Sequence, residues 1–311
     1  MPEQLVEHGI GETRVVLVED GEIVEARILR HGATAAGTVL AARLVRTGRN
    51  AVARAGKDEY LLPRGAPRIT EGGTLHIEVT REALGGAEPW KRPQARVSDA
   101  AVADAPDLPG ERFAWPSPGD RLEALGWSDL IDEARSGIIA FAGGELRVSV
   151  TPAMTLIDVD GHLPPEQLAR AGAEAAARTI RRHGIGGSVG IDLPTIGGKA
   201  ARQAVAEAVD AILPQPFERT AVNGFGFLQI VRPRRHASLF ELAADRPAFE
   251  ARALLRRAAR ETGPITLVAH PALLAALEPG WTEALAAQVG GVVSLRPEPS
   301  LAIAAAYAQR C

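Results

Sequence analysis

The 311-residue chain has one cysteine, Cys311, at its last position. A lone thiol excludes an intrachain disulfide and a cysteine-rich zinc centre, and it suits a reducing compartment. Aromatic residues are scarce, at 4%. Positive charge is not in excess either: 35 Lys and Arg stand against 38 Asp and Glu, a net charge of −3. No global positive field therefore marks a nucleic-acid binder, and any such binding has to come from local patches. No apolar run reaches the length of a membrane span. Met1-Pro2-Glu3-Gln4 lacks the basic and apolar regions of a signal peptide. These absences predict a cytoplasmic protein with no membrane partner. What remains is ordinary for a globular chain, 46% hydrophobic and 23% charged, with room for two or three small domains.

Turn residues divide the chain into five segments. In 1–36, Thr13-Arg14-Val15-Val16-Leu17-Val18 is β-rich, Glu19-Asp20-Gly21 signals a turn and 23–29 returns, which predicts a hairpin. In 37–97, β-rich runs at 38–45, 51–55, 59–62, 74–80 and 94–97 are punctuated by Gly and Pro. Five short strands suit an OB-type barrel, a common single-strand nucleic-acid binder, or any other small barrel. Tyr60 and Trp90 are the aromatics there for stacking on bases, with Lys91 beside them as an RNA contact. Segment 98–142 is a Pro-rich linker followed by a short helix over 121–136, stopped by Gly137. Segment 143–236 is a central α/β domain, preceded by a strand over 138–141. Segment 237–311 is a small α/β unit: a long helix over 240–261 kinked at Pro247, two strands, two short helices, and an Ala-rich helix ending at Cys311. The expected fold class is mixed, α+β and α/β, in several domains.

The central segment carries the chemistry. Two apolar runs each end in aspartate: Met154-Thr155-Leu156-Ile157-Asp158 and Ser188-Val189-Gly190-Ile191-Asp192. A helix from Pro164-Pro165-Glu166 to His183-Gly184 joins them. This predicts a βαβ-like unit whose strands are buried on both faces. Ligands of such layered folds sit at the carboxyl ends of the strands. Asp158, Asp192 and Asp160 would lie there and could share a divalent cation, Mg²⁺ first and Mn²⁺ as the alternate. The competing explanation is that each Asp starts a turn or caps a helix.

Other motifs fail. Gly197-Gly198-Lys199 has Leu193 where a phosphate loop needs its first glycine, and Ala200 where Ser or Thr would bind Mg²⁺. Gly184, Gly186 and Gly190 precede a strand instead of following one. The histidines show no metal-ligand spacing, and no zinc is expected. Two basic clusters remain. Arg181, Arg182 and His183 close a helix, where they complement its dipole. Arg232, Arg234, Arg235 and His236 follow a strand over 225–231, as a solvated loop or as a phosphate-contacting patch.

The order of these segments resembles the ribonuclease E/G family of bacterial endoribonucleases. Four stretches carry the resemblance: Glu12 to Gly21; Gly37-Thr38-Val39 through Tyr60-Leu61-Leu62-Pro63; the strands Leu156-Ile157-Asp158-Val159-Asp160 and Gly190-Ile191-Asp192; and Gly224-Phe225-Gly226-Phe227-Leu228-Gln229-Ile230-Val231-Arg232 followed by Ser238-Leu239. The resemblance implies an OB-type RNA-binding domain and a DNase I-like catalytic domain. It also implies that Asp158 and Asp192 hold a Mg²⁺ ion that activates water for RNA hydrolysis. Asp160 stands where the family has a metal-site asparagine. Lys199, Arg232, Arg234 and Arg235 would hold the backbone of single-stranded RNA. Two parts of the family pattern are missing: the cysteines of its zinc link, so any oligomer forms otherwise, and the domain that reads the RNA 5′ end. Val45-Arg46-Thr47-Gly48 imitates a string of that sensor but falls inside the barrel segment. The alternative reading is a catalytically weak relative that binds RNA or a partner.

Overall fold

The structure, a computed structural model, describes residues 2–85 and 88–310. Met1, Gly86, Ala87 and Cys311, where the last helix is expected to end, lie outside the described residues. From the amino end come β1 (Glu3–His8), β2 (Glu12–Glu19), β3 (Glu22–Arg30), β4 (Val39–Arg46), β5 (Ala51–Ala55), β6 (Asp58–Leu62), β7 (Thr74–Arg81) and β8 (Gln94–Ser98). They are followed by β9 (Glu111–Ala114), α1 (Arg121–Ala124), α2 (Trp127–Ser136), β10 (Ile138–Phe141), β11 (Gly144–Val150) and β12 (Thr155–Gly161). Next are α3 (Pro165–Arg182), β13 (Gly187–Asp192), α4 (Lys199–Ile212), β14 (Glu218–Arg219) and β15 (Phe227–Arg232). The chain closes with α5 (Leu239–Ala244), α6 (Arg246–Ala258), β16 (Ile265–Ala269), α7 (Pro271–Leu274), α8 (Trp281–Val289), β17 (Val293–Pro297), a 3-10 turn (Ile303–Ala305) and β18 (Tyr307–Arg310). Among the described residues, no helix is long and apolar enough to cross a membrane.

Two units form. One comprises Met1–His31, Pro109–Arg135 and Leu242–Cys311, the other Gly32–Leu108 and Ser136–Glu241. They cut across the five consecutive segments expected from the sequence, because pairing and burial join residues far apart in the chain. In the first unit the sheet runs β3-β2-β1-β9, with β9 parallel to β1 from Leu5↔Glu111 to His8↔Ala114. So the expected linker contains a strand. Beneath it lies a buried ion network. Glu7 of β1 accepts from Arg14 at 2.6 Å and from Arg256 of α6 at 3.0 Å, and Arg256 also reaches Asp120 at 2.6 Å. The Arg256 guanidinium lies over the Trp115 ring, 4.3 Å from its centroid. Hairpin, "linker" and carboxyl-terminal helix thus share one interior.

The second sheet of this unit runs β17-β16-β18. β18 occupies the place where the Ala-rich helix was expected, and that expectation is corrected. Only a single 3-10 turn survives of it, since 307–310 pairs antiparallel with β16 and covers an edge that would otherwise be open. Helix propensity, a few tenths of a kcal/mol per residue, yields to that pairing. The expected kink at Pro247 is a full break: Asp245 caps a new helix, accepting from the Ala248 N–H.

In the second unit β4 to β8 close a five-stranded barrel in the order β4-β5-β6-β8-β7. Its core includes Leu44, Tyr60, Leu62, Ile77 and Val79. The other sheet runs β10-β11-β12-β13-β15-β14, with β12 and β13 its parallel pair. α3 packs on β10, β11 and β12 and against α4. Gly172 lets α3 approach, because a Cβ there would lie 2.3 Å from Val159 Cγ1. Only one face is covered. Along β12, Ile157 and Val159 are buried while Leu156, Asp158 and Asp160 are exposed. The expectation of strands buried on both faces fails for β12, which alternates with period two as strands with one solvated face do, whereas Val189, Gly190 and Ile191 of β13 are buried in succession.

Candidate functional site

The exposed face carries the acidic residues in register. Asp158 of β12 stands directly opposite Asp192 of β13, Arg147 is its partner on β11, and Phe227 is the partner of Asp192 on β15. Ile138, Arg147, Asp158, Asp192 and Phe227 thus form one row across five strands. Asp160, two residues on, points to the same side and lies 3.7 Å from Arg147. Like charges opposite each other in a sheet destabilise it. The Asp158 carboxyl accordingly titrates above its ordinary range, first through desolvation and then through Asp160 and Asp192, against Arg147 and the Val159 N–H.

Hard oxygen donors on an exposed face fit Mg²⁺, which binds through one or two carboxylates and completes its shell with water and substrate phosphate. They do not make a closed cage, and among the described residues no three His, Cys, Asp or Glu side chains are grouped to hold a metal. Asp158 and Asp192 are the two donors that the register brings together. Asp160 stands 3.7 Å from Arg147, whose hydrogen bond goes to Glu145, and its charge also bears on Asp158.

The expected RNA contacts divide. Lys199, the first residue of α4, is exposed, as is Arg235. Arg232 is half-buried, its Nη1 reaching the Ile180 carbonyl at 3.5 Å. Arg234 is a correction. Its side chain is only 16% exposed and ion-pairs with Glu88 at 2.7 Å and with Glu241. The Arg235 carbonyl accepts from the Glu82 N–H at 2.9 Å. Both contacts tie the connection between β7 and β8 to the segment after β15, so this cluster holds the barrel to the sheet. Tyr60 is a second correction. It is 2% exposed inside the barrel and donates its hydroxyl to Thr34 at 3.0 Å, so it offers no face to a base. Trp90 is 65% exposed, and Lys91 beside it pairs with Glu88 at 2.5 Å. Arg46 and Thr47 flank the β4–β5 turn, where they bond to the Asn50 carbonyl and to Glu71.

A cleft of about 580 Å³ opens on the barrel, lined by Arg43, Arg54, Ile69, His76 and Asp99 among others. It does not reach the acidic row, which lies on an open surface. One residue escaped the sequence reading. Phe225, part of the Gly-Phe-Gly string, is 85% exposed. The apolar run makes it the start of an expected strand over 225–231, yet β15 begins only at Phe227. No protein-family model matches the chain, and no curated protein sequence matches it.

Proposed function

We propose that the chain is a Mg²⁺-dependent endoribonuclease of the ribonuclease E/G type, cleaving single-stranded RNA on the exposed face of the second unit's sheet. One observation carries the reading: Asp158 and Asp192 face each other in register where burial does not require them and mutual repulsion opposes them. Such an arrangement is retained at a cost to stability, which points to use. The strand order of the barrel supports an OB-type assignment, and the two-layer sheet is read as the DNase I-like domain. Asp158 and Asp192 would hold a Mg²⁺ ion, which would supply water activation and charge relief on the phosphate. The protein's own groups position the chain. Lys199 and Arg235, both exposed, contact backbone phosphates at every sequence. Arg147, opposite Asp158 and hydrogen-bonded to Glu145, keeps a positive charge beside the acids.

The second reading, RNA binding without turnover, keeps the exposed Lys199 and Arg235 as phosphate contacts without a metal-dependent step. A fluorescent single-stranded RNA incubated with the protein, with and without Mg²⁺, separates the two. Cleavage that needs Mg²⁺ supports the enzyme. Retention without cleavage supports the binder, and the absence of both overturns the RNA reading.

A further inference from the structure

Phe225 is exposed by construction. Asn223 Oδ1 accepts the N–H of Phe225 at 2.9 Å and that of Phe227 at 3.0 Å. The Asn223 N–H donates to the Phe227 carbonyl at 3.0 Å, and the Gly226 N–H to the Asn223 carbonyl at 3.2 Å. The Phe225 carbonyl accepts from the Thr195 hydroxyl at 3.2 Å. The Leu193 N–H donates to the Gly226 carbonyl at 3.2 Å. Gly226 has a left-handed φ of +92°, and a Cβ there would meet the Leu193 carbonyl oxygen at 2.1 Å, so only glycine closes the turn. Both backbone polar groups of Phe225 are bonded within the protein, and the ring is left in water. Single exposed apolar side chains are common. A ring on a turn held by this many bonds, two residues before the strand partner of a candidate catalytic acid, is a prepared surface.

Asp192 fixes where that surface stands. Its strand partner is Phe227, and Leu193, the residue after it, is the one bonded to Gly226. The turn that carries Phe225 therefore stands at the carboxyl end of β13, the end at which Asp192 lies. Phe227 itself lies over Gly190, where a Cβ would come within 2.4 Å of its ring, and so floors the same face.

We infer that Phe225 is the stacking platform for one unpaired base of single-stranded RNA, an assignment that rests on the RNA-cleaving reading above. Stacking accepts every base, since every base has a π-face. Bases of an A-form duplex are already stacked and paired, so the platform admits single strands and excludes helices. Because the turn is already ordered, docking immobilises little more of the protein. With its base on Phe225, the adjoining phosphodiester is carried over Asp158 and Asp192. Phe225 is thus a substrate-positioning residue that takes no part in proton transfer.

The test compares wild type, Phe225→Ala and Phe225→Trp on a 5′-fluorescent single-stranded RNA and on copies in which an abasic nucleotide is walked through the cleavage site. Expected is a loss of cleavage of tenfold or more in Phe225→Ala, chiefly through KM, with an unchanged melting temperature. One abasic position should cost wild type as much, and cost Phe225→Ala nothing further. Phe225→Trp should keep the rate, and its added emission should be quenched by the RNA. The proposal is overturned if Phe225→Ala cuts at the wild-type rate, if abasic and protein losses simply multiply, or if the variant changes only self-association. Wild type that neither binds nor cuts RNA removes the underlying reading too; wild type that cuts while the variant matches it removes the platform alone.

Discussion

Replacing Asp192 with Asn removes one of two negative charges that face each other across β12 and β13 while keeping the side chain's shape. Both groups are exposed, so water screens them. Two unit charges about 5 Å apart in a dielectric near 80 repel by about 0.8 kcal/mol, in the sense expected for like charges opposed in a sheet. For a folding unit of this size, each kcal/mol moves the melting temperature by about 2–4 °C. Asp192→Asn should therefore melt about 1–3 °C higher than wild type in low salt with EDTA, and the gain should fade in high salt. Mg²⁺ should invert the order. At ten times its Kd it adds about 1.4 kcal/mol to wild type and little to the variant. The pH dependence has a definite sign. A carboxyl that holds its proton more tightly when folded loses stability for the fold as pH rises from about 4 through its raised value. Asp192→Asn should make that decline shallower without abolishing it, because desolvation of Asp158 comes first among its causes. Calorimetry across pH, salt and Mg²⁺ reads all three effects. A variant that melts lower than wild type in EDTA, with wild type indifferent to Mg²⁺, would refute the reasoning and make Asp192 a turn residue.

Glu7→Ala should cost about 3–5 kcal/mol in chemical denaturation, since it strips both Arg14 and Arg256 of their shared carboxylate in a buried site; a loss under 1 kcal/mol would mean the network is solvated. The basic cluster should split in two. Arg235→Ala should leave stability unchanged and lower the salt dependence of RNA binding by about one phosphate contact. Arg234→Ala should instead destabilise the fold by about 3 kcal/mol, because the buried Glu88 and Glu241 lose the guanidinium that lies between them. Filter binding at graded salt, beside denaturation curves, would expose the opposite assignment.

The barrel was legible because Gly and Pro set off its five strands and each was long enough to show a pattern; the runs at 51–55 and 94–97 begin at the residues where β5 and β8 begin. β1, β9 and β18 were not. Each is a short strand, and the partners of β9 and β18 lie far away in the chain, a pairing that local sequence does not encode. The one-sided burial of β12 was visible in principle, since Leu156-Ile157-Asp158-Val159-Asp160 alternates, but the apolar run masked it. Arg234 and Tyr60 looked like surface chemistry because charge and ring are what sequence displays, whereas Glu88, Glu241 and the barrel core that claim them come together only in space. Phe225 is the converse: an apolar residue kept outside by the Asn223 turn.

The central claim is that Asp158 and Asp192 act together on RNA. Its most direct test is single-turnover cleavage of one fluorescent single-stranded RNA by wild type, Asp158→Asn and Asp192→Asn, each with Mg²⁺ and with EDTA. Cleavage by wild type only when Mg²⁺ is present, with a loss of at least a hundredfold in either variant while RNA binding persists, is the predicted result. Wild-type rates in both variants, or cleavage that ignores EDTA, would contradict it.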